Sequence, residues 1–341
     1  MAAITKERQA PPGGFRRWLN RSATTRTAWL YLAPAFIIMG VITFYPLIYQ
    51  LWMSTTDYGI KNLRFDSPPP NFVGLQNYSQ IFTGELPVAI ANFSFWNILA
   101  FDLIWTFTNV PIHVIIGVLI AVLLNVKGLW FKCVYRAIYI LPMVLPSLVV
   151  AVVWRNIFDS QYGAVNQFLS LITHLFGGAP VTLRWMDQVD PIVMVGPIPL
   201  PLSYFALLIC NVWLGWPFMC IVATGALQSI PGDLYEAASI DGASSRQSFF
   251  RITVPLLRPA MVPAAVYGLV ATFNLFNLIY LMSQGGPLRQ TEILVTTAYR
   301  LVNEQRLYGS AAAFSVIIFF VLLILTLITN RITKATERYD V

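Results

Sequence analysis

Six times this chain runs apolar for about twenty residues, near 29–52, 104–126, 134–154, 203–228, 260–282 and 308–330. Each run is long enough to cross the roughly 30 Å hydrocarbon core as a helix. Composition agrees: 57% of the residues are hydrophobic and 11% charged, where a soluble domain carries about 25% charged. The short alternating segments of a membrane barrel do not occur. The sequence predicts an all-α integral membrane protein with six transmembrane helices.

Basic residues set the expected orientation. An even number of spans puts both termini on one side. With the N-terminus in the cytoplasm, the inner side holds Lys6, Arg8, Arg16, Arg17, Arg21, Arg26, Lys127, Lys132, Arg136, Arg246, Arg251, Arg258, Arg331, Lys334 and Arg338. The outer side holds Lys61, Arg64, Arg155, Arg184, Arg289, Arg300 and Arg306, so fifteen of the 22 basic residues face in. That excess is the usual bias of multi-pass proteins. Residues 1–28 lack the apolar core and cleavage site of a signal peptide, so the first run is read as a span that stays. The expected order is a basic cytoplasmic tail at 1–28, a first transmembrane helix at 29–52 and an external loop at 53–92. A five-helix core at 93–330 and a cytoplasmic tail at 331–341 complete it.

The second apolar run starts near Phe93 and is too long for one straight crossing. Counting back from Lys127 puts its outer end near Thr106, with Asp102 at the outer water interface and a helical approach before it, bent near Pro111. The outer loops 53–92 and 155–202 are rich in Pro and Gly and predict irregular structure with short helices. Cys133, Cys210 and Cys220 lie in or beside apolar runs, form no CxxC or Cys/His cluster, and read as small core filler.

Between the fourth and fifth runs stands a polar island, the loop 231–259, whose heart reads YEAASIDGASSRQSFFRITVPLLRP. Pro231-Gly232 ends the preceding span. Asp233 is placed to cap a short helix, with Glu236 three residues on as a capping-box partner. Gly242 supplies the left-handed residue that closes it. Ser244 with Gln247 caps a second helix carrying Phe249, Phe250 and Ile252, expected to stop before Pro255. Two caps and a glycine corner describe a built surface, tethered to the membrane on both sides.

Glu236-Ala237-Ala238, three residues, Gly242, nine residues, then Ile252-x-Val254-Pro255 resembles the EAA motif of ABC importer permease subunits. The family has Leu where this chain has Val254. The likeness continues in Gly285-Gly286-Pro287 after the fifth run and in GSAAAFS at 309–315. Asn211-Val212-Trp213-Leu214-Gly215-Trp216-Pro217 is similar to the matching span of maltose-type carbohydrate permeases. The chain lacks the extra N-terminal spans that some members carry. The resemblance implies a type I ABC importer permease fold in the cell inner membrane, with residues 93–330 as the permease core and a cytoplasmic EAA coupling-helix loop. It implies ATPase coupling through Glu236, Ala237, Ala238, Asp241 and Gly242. Glu236 would offer a carboxylate to a basic group, the alanines would allow close approach, and Gly242 would turn the chain back. It also implies partners: a second permease subunit, two ABC ATPase subunits that bind ATP and Mg, and an external sugar-binding protein.

Polar side chains inside spans are costly and often functional. Asn211, Gly215 and Phe218 share one face of the fourth span with Leu214 beside them, and Asn274 and Asn277 are three apart on the fifth. By resemblance, Asn211, Leu214, Gly215 and Phe218 fall on sugar-contact positions, Asn274 in the contact region, and Asn277 has no clear counterpart. Amides and an aromatic face suit sugar hydroxyls and a pyranose ring. The other reading is that these asparagines bridge neighbouring helices. Asp102, Asn109 and His113 share a face, but Asp102 and His113 stand eleven residues apart, about 16 Å along a helix. That is too far for a proton relay, and His113 reads as a packing or pore-lining residue.

Other function classes fit less well. The chain has no GxxxxGK[ST] loop, so it cannot hydrolyse ATP itself, and any motor is a separate chain. No HExxH and no paired inward carboxylates support a membrane enzyme. A secondary transporter needs no cytoplasmic two-helix platform, and the tethers leave the island little freedom to enter a DNA groove. The expected cargo is a di- or oligosaccharide of the maltose, maltodextrin or trehalose class. A glycerol phosphate is the alternative; it favours a cationic group, and the fourth and fifth runs carry none.

Overall fold

A computed structural model describes residues 14–126 and 128–333. Lys6, Arg8, Lys127, Lys334 and Arg338 therefore lie outside the described residues, as do parts of both expected tails. The chain divides into two units, Met1–Met53 and Ser54–Val341.

In the first unit helix α1 (Gly14–Met39) passes through a π-helical turn, Gly40–Phe44, into α2 (Tyr45–Ser54). Its apolar part, Trp29–Ser54, is long enough to cross a membrane and matches the first expected span.

The second unit opens with a strap. Short helix α3 (Gln76–Thr83) is tied down by Asn77, whose amide donates to the Ser54 and Thr56 carbonyls at 2.9 and 2.8 Å. Helix α4 (Phe95–Leu124) is one continuous helix running through Pro111, started by Ser94 Oγ, which accepts the Asn97 N–H. No separate approach helix precedes it, and Asp102 is fully buried, not at a water interface.

The third apolar run is also not one helix. It splits into α5 (Lys132–Val144) and α6 (Ser147–Ile157), bent by 97°. Leu145 precedes Pro146 and takes an extended conformation (φ −76°, ψ 133°), as the proline ring demands of its predecessor. Helix α7 (Ala164–Leu175) follows. The loop after it holds a hairpin as well as irregular chain: β1 (Val193–Val195) pairs antiparallel with β2 (Ile198–Leu200). Gly196, at φ +58°, makes the tight turn with Pro197.

Helix α8 (Leu202–Gln228) packs along α4 through small residues on both sides. A Cβ on Gly117 would stand 2.5 Å from Met219 Cβ, and one on Gly215 would stand 2.3 Å from the His113 ring. Met219 also touches Gly268, where a Cβ would lie 2.7 Å from its Cε. Glycine thus brings three helices to close contact, the packing that lipid surroundings favour. Cys210 and Cys220 fill this core as expected, whereas Cys133 is exposed.

After α8 come α9 (Asp233–Ile240) and α10 (Ser245–Ser248). Contrary to expectation, α10 does not end before Pro255. It widens into a π turn, Phe249–Thr253, and continues as α11 (Val254–Phe273). The Val254 N–H reaches the Phe249 carbonyl, so the turn absorbs the residue that the proline would otherwise force out. The π turn in the first unit likewise ends two residues before a proline, Pro46.

The fifth run breaks as well. Leu275 (φ −77°, ψ 66°) makes an inverse γ-turn, in which the Phe276 N–H bonds the Asn274 carbonyl at 2.7 Å, and α12 (Phe276–Met282) departs. Helix α13 (Leu294–Asn303) lies outside the long helices, and α14 (Tyr308–Thr333) closes the chain. The small residues opening α14 have a use: Gly309 donates its N–H to the Tyr58 carbonyl at 2.8 Å, and a Cβ there would hit the Thr56 carbonyl at 2.2 Å. Among the described residues, five helices are long and apolar enough to cross a membrane, and the bent α5–α6 pair would make a sixth.

Candidate functional site

Two places gather the residues singled out in the sequence: the polar island, and a ladder of side chains between α4, α8 and α11.

The island folds as two short helices joined by a corner. The α9 C-terminus closes with two bonds, Ala243 N–H to the Ala238 carbonyl at 2.9 Å and Gly242 N–H to Ser239 at 3.1 Å. This is the Schellman arrangement, and it requires the left-handed residue that Gly242 provides at φ +76°. The N-terminus departs from expectation: Gly232 is the cap residue, with no side-chain cap, and Asp233 sits inside the first turn. There Asp233 and Glu236 still oppose the positive end of the helix dipole. The second cap forms as read, with Gln247 N–H donating to Ser244 Oγ at 3.3 Å and Ser244 N–H to Gln247 Oε1 at 2.8 Å. A bond between the Tyr235 hydroxyl and Thr253 Oγ1, at 2.9 Å, ties α9 to the π turn. Glu236, Ala237, Asp241 and Gly242 are exposed and Ala238 is half-buried. Beside them Ile240 is 87% exposed. An acid, small residues and an isoleucine laid open on a fixed two-helix frame form a surface able to take up a partner.

The ladder begins at the break in the fifth run. Trp105 Nε1 donates to the Thr272 carbonyl at 3.3 Å. Asn109 donates to the Trp105 carbonyl at 2.8 Å, and Asn211 donates to Asn109 Oδ1 at 2.8 Å. His113 Nε2 donates to the Asn211 carbonyl at 3.0 Å, and its ring lies against Gly215. Of the two readings left open for Asn211, the bridge between helices is the one seen: its side chain is buried against α4. Leu214, Gly215 and Phe218 are half-buried, and the Phe218 ring packs against Tyr267 at 5.3 Å between centroids. Asn274 is half-buried, with its amide turned back to the Val270 carbonyl at 3.1 Å. Asn277 is exposed and donates to Ser147 Oγ at 3.1 Å, linking the break in the fifth run to the break in the third. Of the six expected contact residues, Asn211 and Gly215 face α4, Phe218 meets Tyr267 of α11, and Asn274 and Asn277 stand at the α11–α12 break.

Sequence reasoning missed several partners. Asn109 was noticed for a relay and not as the acceptor for Asn211. Asp102 serves α13: its Oδ2 accepts the Leu294 N–H at 3.0 Å, capping a helix 192 positions away. Glu292, fully buried, pairs with Arg289 at 3.2 Å and Arg300 at 3.1 Å. The Asp/Glu–Arg content of that loop was the available signal.

Comparison with known proteins gives a consistent family. The model described as "Binding-protein-dependent transport system inner membrane component" matches residues 113–338. The chain is 33% identical over 311 residues to the galactooligosaccharides transport system permease protein GanP of Bacillus subtilis (strain 168), covering 89% of this chain and 69% of that one. It is 30% identical over 311 residues to the trehalose/maltose transport system permease protein MalF of Thermococcus litoralis, covering 91% and 94%. In structure it is similar to a chain of a bacterial ABC transporter involved in the import of the acidic polysaccharide alginate. The TM-score is 0.74 at 20% identity, over 94% of this chain and all of that one. At that identity the likeness concerns the fold.

Proposed function

The chain belongs to the binding-protein-dependent transport system inner membrane components, and from that premise we propose that it is the permease subunit of an ATP-driven sugar importer. It spans the membrane six times, counting α5 and α6 as one broken span, with both termini in the cytoplasm. Its cargo is a di- or oligosaccharide, the class that the names of its relatives carry. A second permease subunit, two ATPase subunits that bind ATP and Mg, and an external sugar-binding protein complete the assembly.

The observation that carries this reading is the island. A loop with no partner needs no Schellman closure, no capping box and no bond between its two helices, yet this one has all three. Glu236, Ala237, Ala238, Asp241 and Gly242 dock an ATPase, and α11 carries the motion inward without a joint because the π turn keeps the helix continuous past Pro255. Sugar passes by Leu214, Gly215, Phe218, Asn274 and Asn277. The break in the fifth span presents the Asn274 and Asn277 amides, and Phe218 with Tyr267 supplies aromatic faces between α8 and α11.

The test is purification from native membranes, followed by ATPase assays in vesicles with and without maltose-class and galacto-oligosaccharides. We expect an ATPase to accompany the wild type, sugar-stimulated hydrolysis, and loss of the ATPase from Gly242→Pro. A chain that purifies without any nucleotide-binding subunit would overturn the importer reading.

A further inference from the structure

Helix α7 is inside out. Three of its polar side chains face the protein, while Gln167 and His174 are exposed: Asn166 donates to the Ser160 and Leu183 carbonyls at 3.0 and 2.9 Å and accepts from Trp185 Nε1 at 2.9 Å. Ser170 bonds both backbone groups of Val181, and Thr173 donates to the Ala179 carbonyl at 3.0 Å. Val165 and Leu169 pack against the core, but the remaining large apolar side chains face away. Phe168 is 61% exposed, Leu171 59%, Leu175 74% and Phe176 86%, with Ile172 between them. Positions 168, 171, 172 and 175 form one stripe at helical spacing. A helix on a water-facing surface has the opposite arrangement.

Two further observations say what covers the stripe. No Asp, Glu, Lys or Arg stands between Asp159 and Arg184. A protein interface is framed by a polar, solvent-accessible rim, and neither the stripe nor its flanks carry a charge. The second observation is depth. Helix α5 begins at the face where α4 ends, because only residues 125–131 connect them. Its 13 residues rise about 20 Å of the roughly 30 Å core. At Leu145–Pro146 α6 turns 97° away from α5, so the chain beyond this point no longer climbs along the α5 axis. Its outward Leu148, Val149, Val152 and Val153 are exposed, so the apolar surface continues from α6 towards α7.

We propose that α7 is an interfacial helix that lies in the membrane plane on the outer side, with Phe168, Leu171, Ile172 and Leu175 sunk into the lipid boundary. It anchors the outer loop that joins the broken third span to α8. Most interfacial helices add basic residues that hold anionic headgroups. This one has no Lys or Arg and only His174 in its last turn, so its contact is with acyl chains and does not depend on anionic lipid.

The test uses the full chain, with the subunits that accompany it, in phosphatidylcholine vesicles with and without phosphatidylglycerol. Nitroxides are placed singly at 168, 171, 172 and 175 in a Cys133→Ser background, leaving the two buried cysteines in place. Gln161 and Asp187, which line an open polar cleft of about 790 Å³, serve as water references. All four stripe positions are exposed, so labels leave the packing intact. Lipid contact requires oxygen to relax the stripe labels more than a water-soluble nickel chelate does, with the reverse at the references and no change with phosphatidylglycerol. Chelate access at the stripe would mean water covers it. Poor access to both reagents would mean a protein covers it, the second permease or another copy. Either result overturns the proposal.

Discussion

Asn211 donates its side-chain amide to Asn109 Oδ1 at 2.8 Å, with both residues buried between α4 and α8. A bond of this kind inside a membrane bundle is worth about 0.6 kcal/mol on average and up to about 1.7. Truncating one partner also strands the other, at about 1–3 kcal/mol. We therefore expect Asn211→Leu and Asn109→Leu each to destabilise by about 1–3 kcal/mol in a denaturing-detergent titration. The double variant should cost less than their sum, since the second substitution removes the stranded group. Simple additivity would mean the bond is not made in the membrane.

Gly215 and Gly117 face similar crowding with different remedies. The three atoms nearest a Cβ on Gly215 all belong to the His113 ring. Gly215→Ala should cost about 1–3 kcal/mol as overpacking, and His113→Ala in the same chain should recover part of it. A Cβ on Gly117 meets the Cys220 backbone nitrogen at 2.8 Å as well as Met219. Truncating Met219 should therefore not rescue Gly117→Ala. The same titration compares the two pairs.

Much of this was legible in the sequence, for identifiable reasons. Run length gives the spans because the hydrocarbon core fixes the length of a helix. The island could be read because Gly242, Ser244 and Gln247 act on neighbours a few residues away. Two errors came from local rules that tertiary or wider-turn geometry overrides. Pro255 reads locally as a helix stop, whereas a π turn carries the helix past it. Asp102 was placed at the water interface, whereas it caps α13 from within the protein. The bridging of Asn211 to Asn109 could not be settled from the chain alone: amides that hold sugar and amides that hold helices are the same residues at the same spacing.

Gly242 separates shape from chemistry in the island. At φ +76° a β-carbon costs about 1–2 kcal/mol, while Asn tolerates the region better. Gly242→Asn should keep ATPase binding and Gly242→Val should weaken it, read by co-purification at matched expression. If the conformation matters and the open space does not, the two variants part. Equal loss in both would instead point to close approach by the partner, because nothing among the described residues lies within 4 Å of a Cβ at that position.

Glu292 makes the segment between α12 and α13 sensitive to pH. It is buried between Arg289 and Arg300; Arg300 also pairs with Glu304 at 3.4 Å and donates to the Gln284 carbonyl. Burial pushes the Glu292 carboxyl above its usual value near 4.5, and the pull of the two guanidinium groups does not reverse this. With the folded pKa above the unfolded one, the folded state holds more protons between the two values. The contribution of Glu292 is therefore full below about pH 4.5 and is lost as pH rises through its folded value. Melting curves of the wild type and of Glu292→Gln from pH 4 to pH 7 test this. The melting temperature of the wild type should fall relative to that of the Gln variant as pH rises, because Gln keeps the neutral form throughout. A constant difference across the range would assign the titration to another group, and a difference of opposite sign would mean the arginines win over burial.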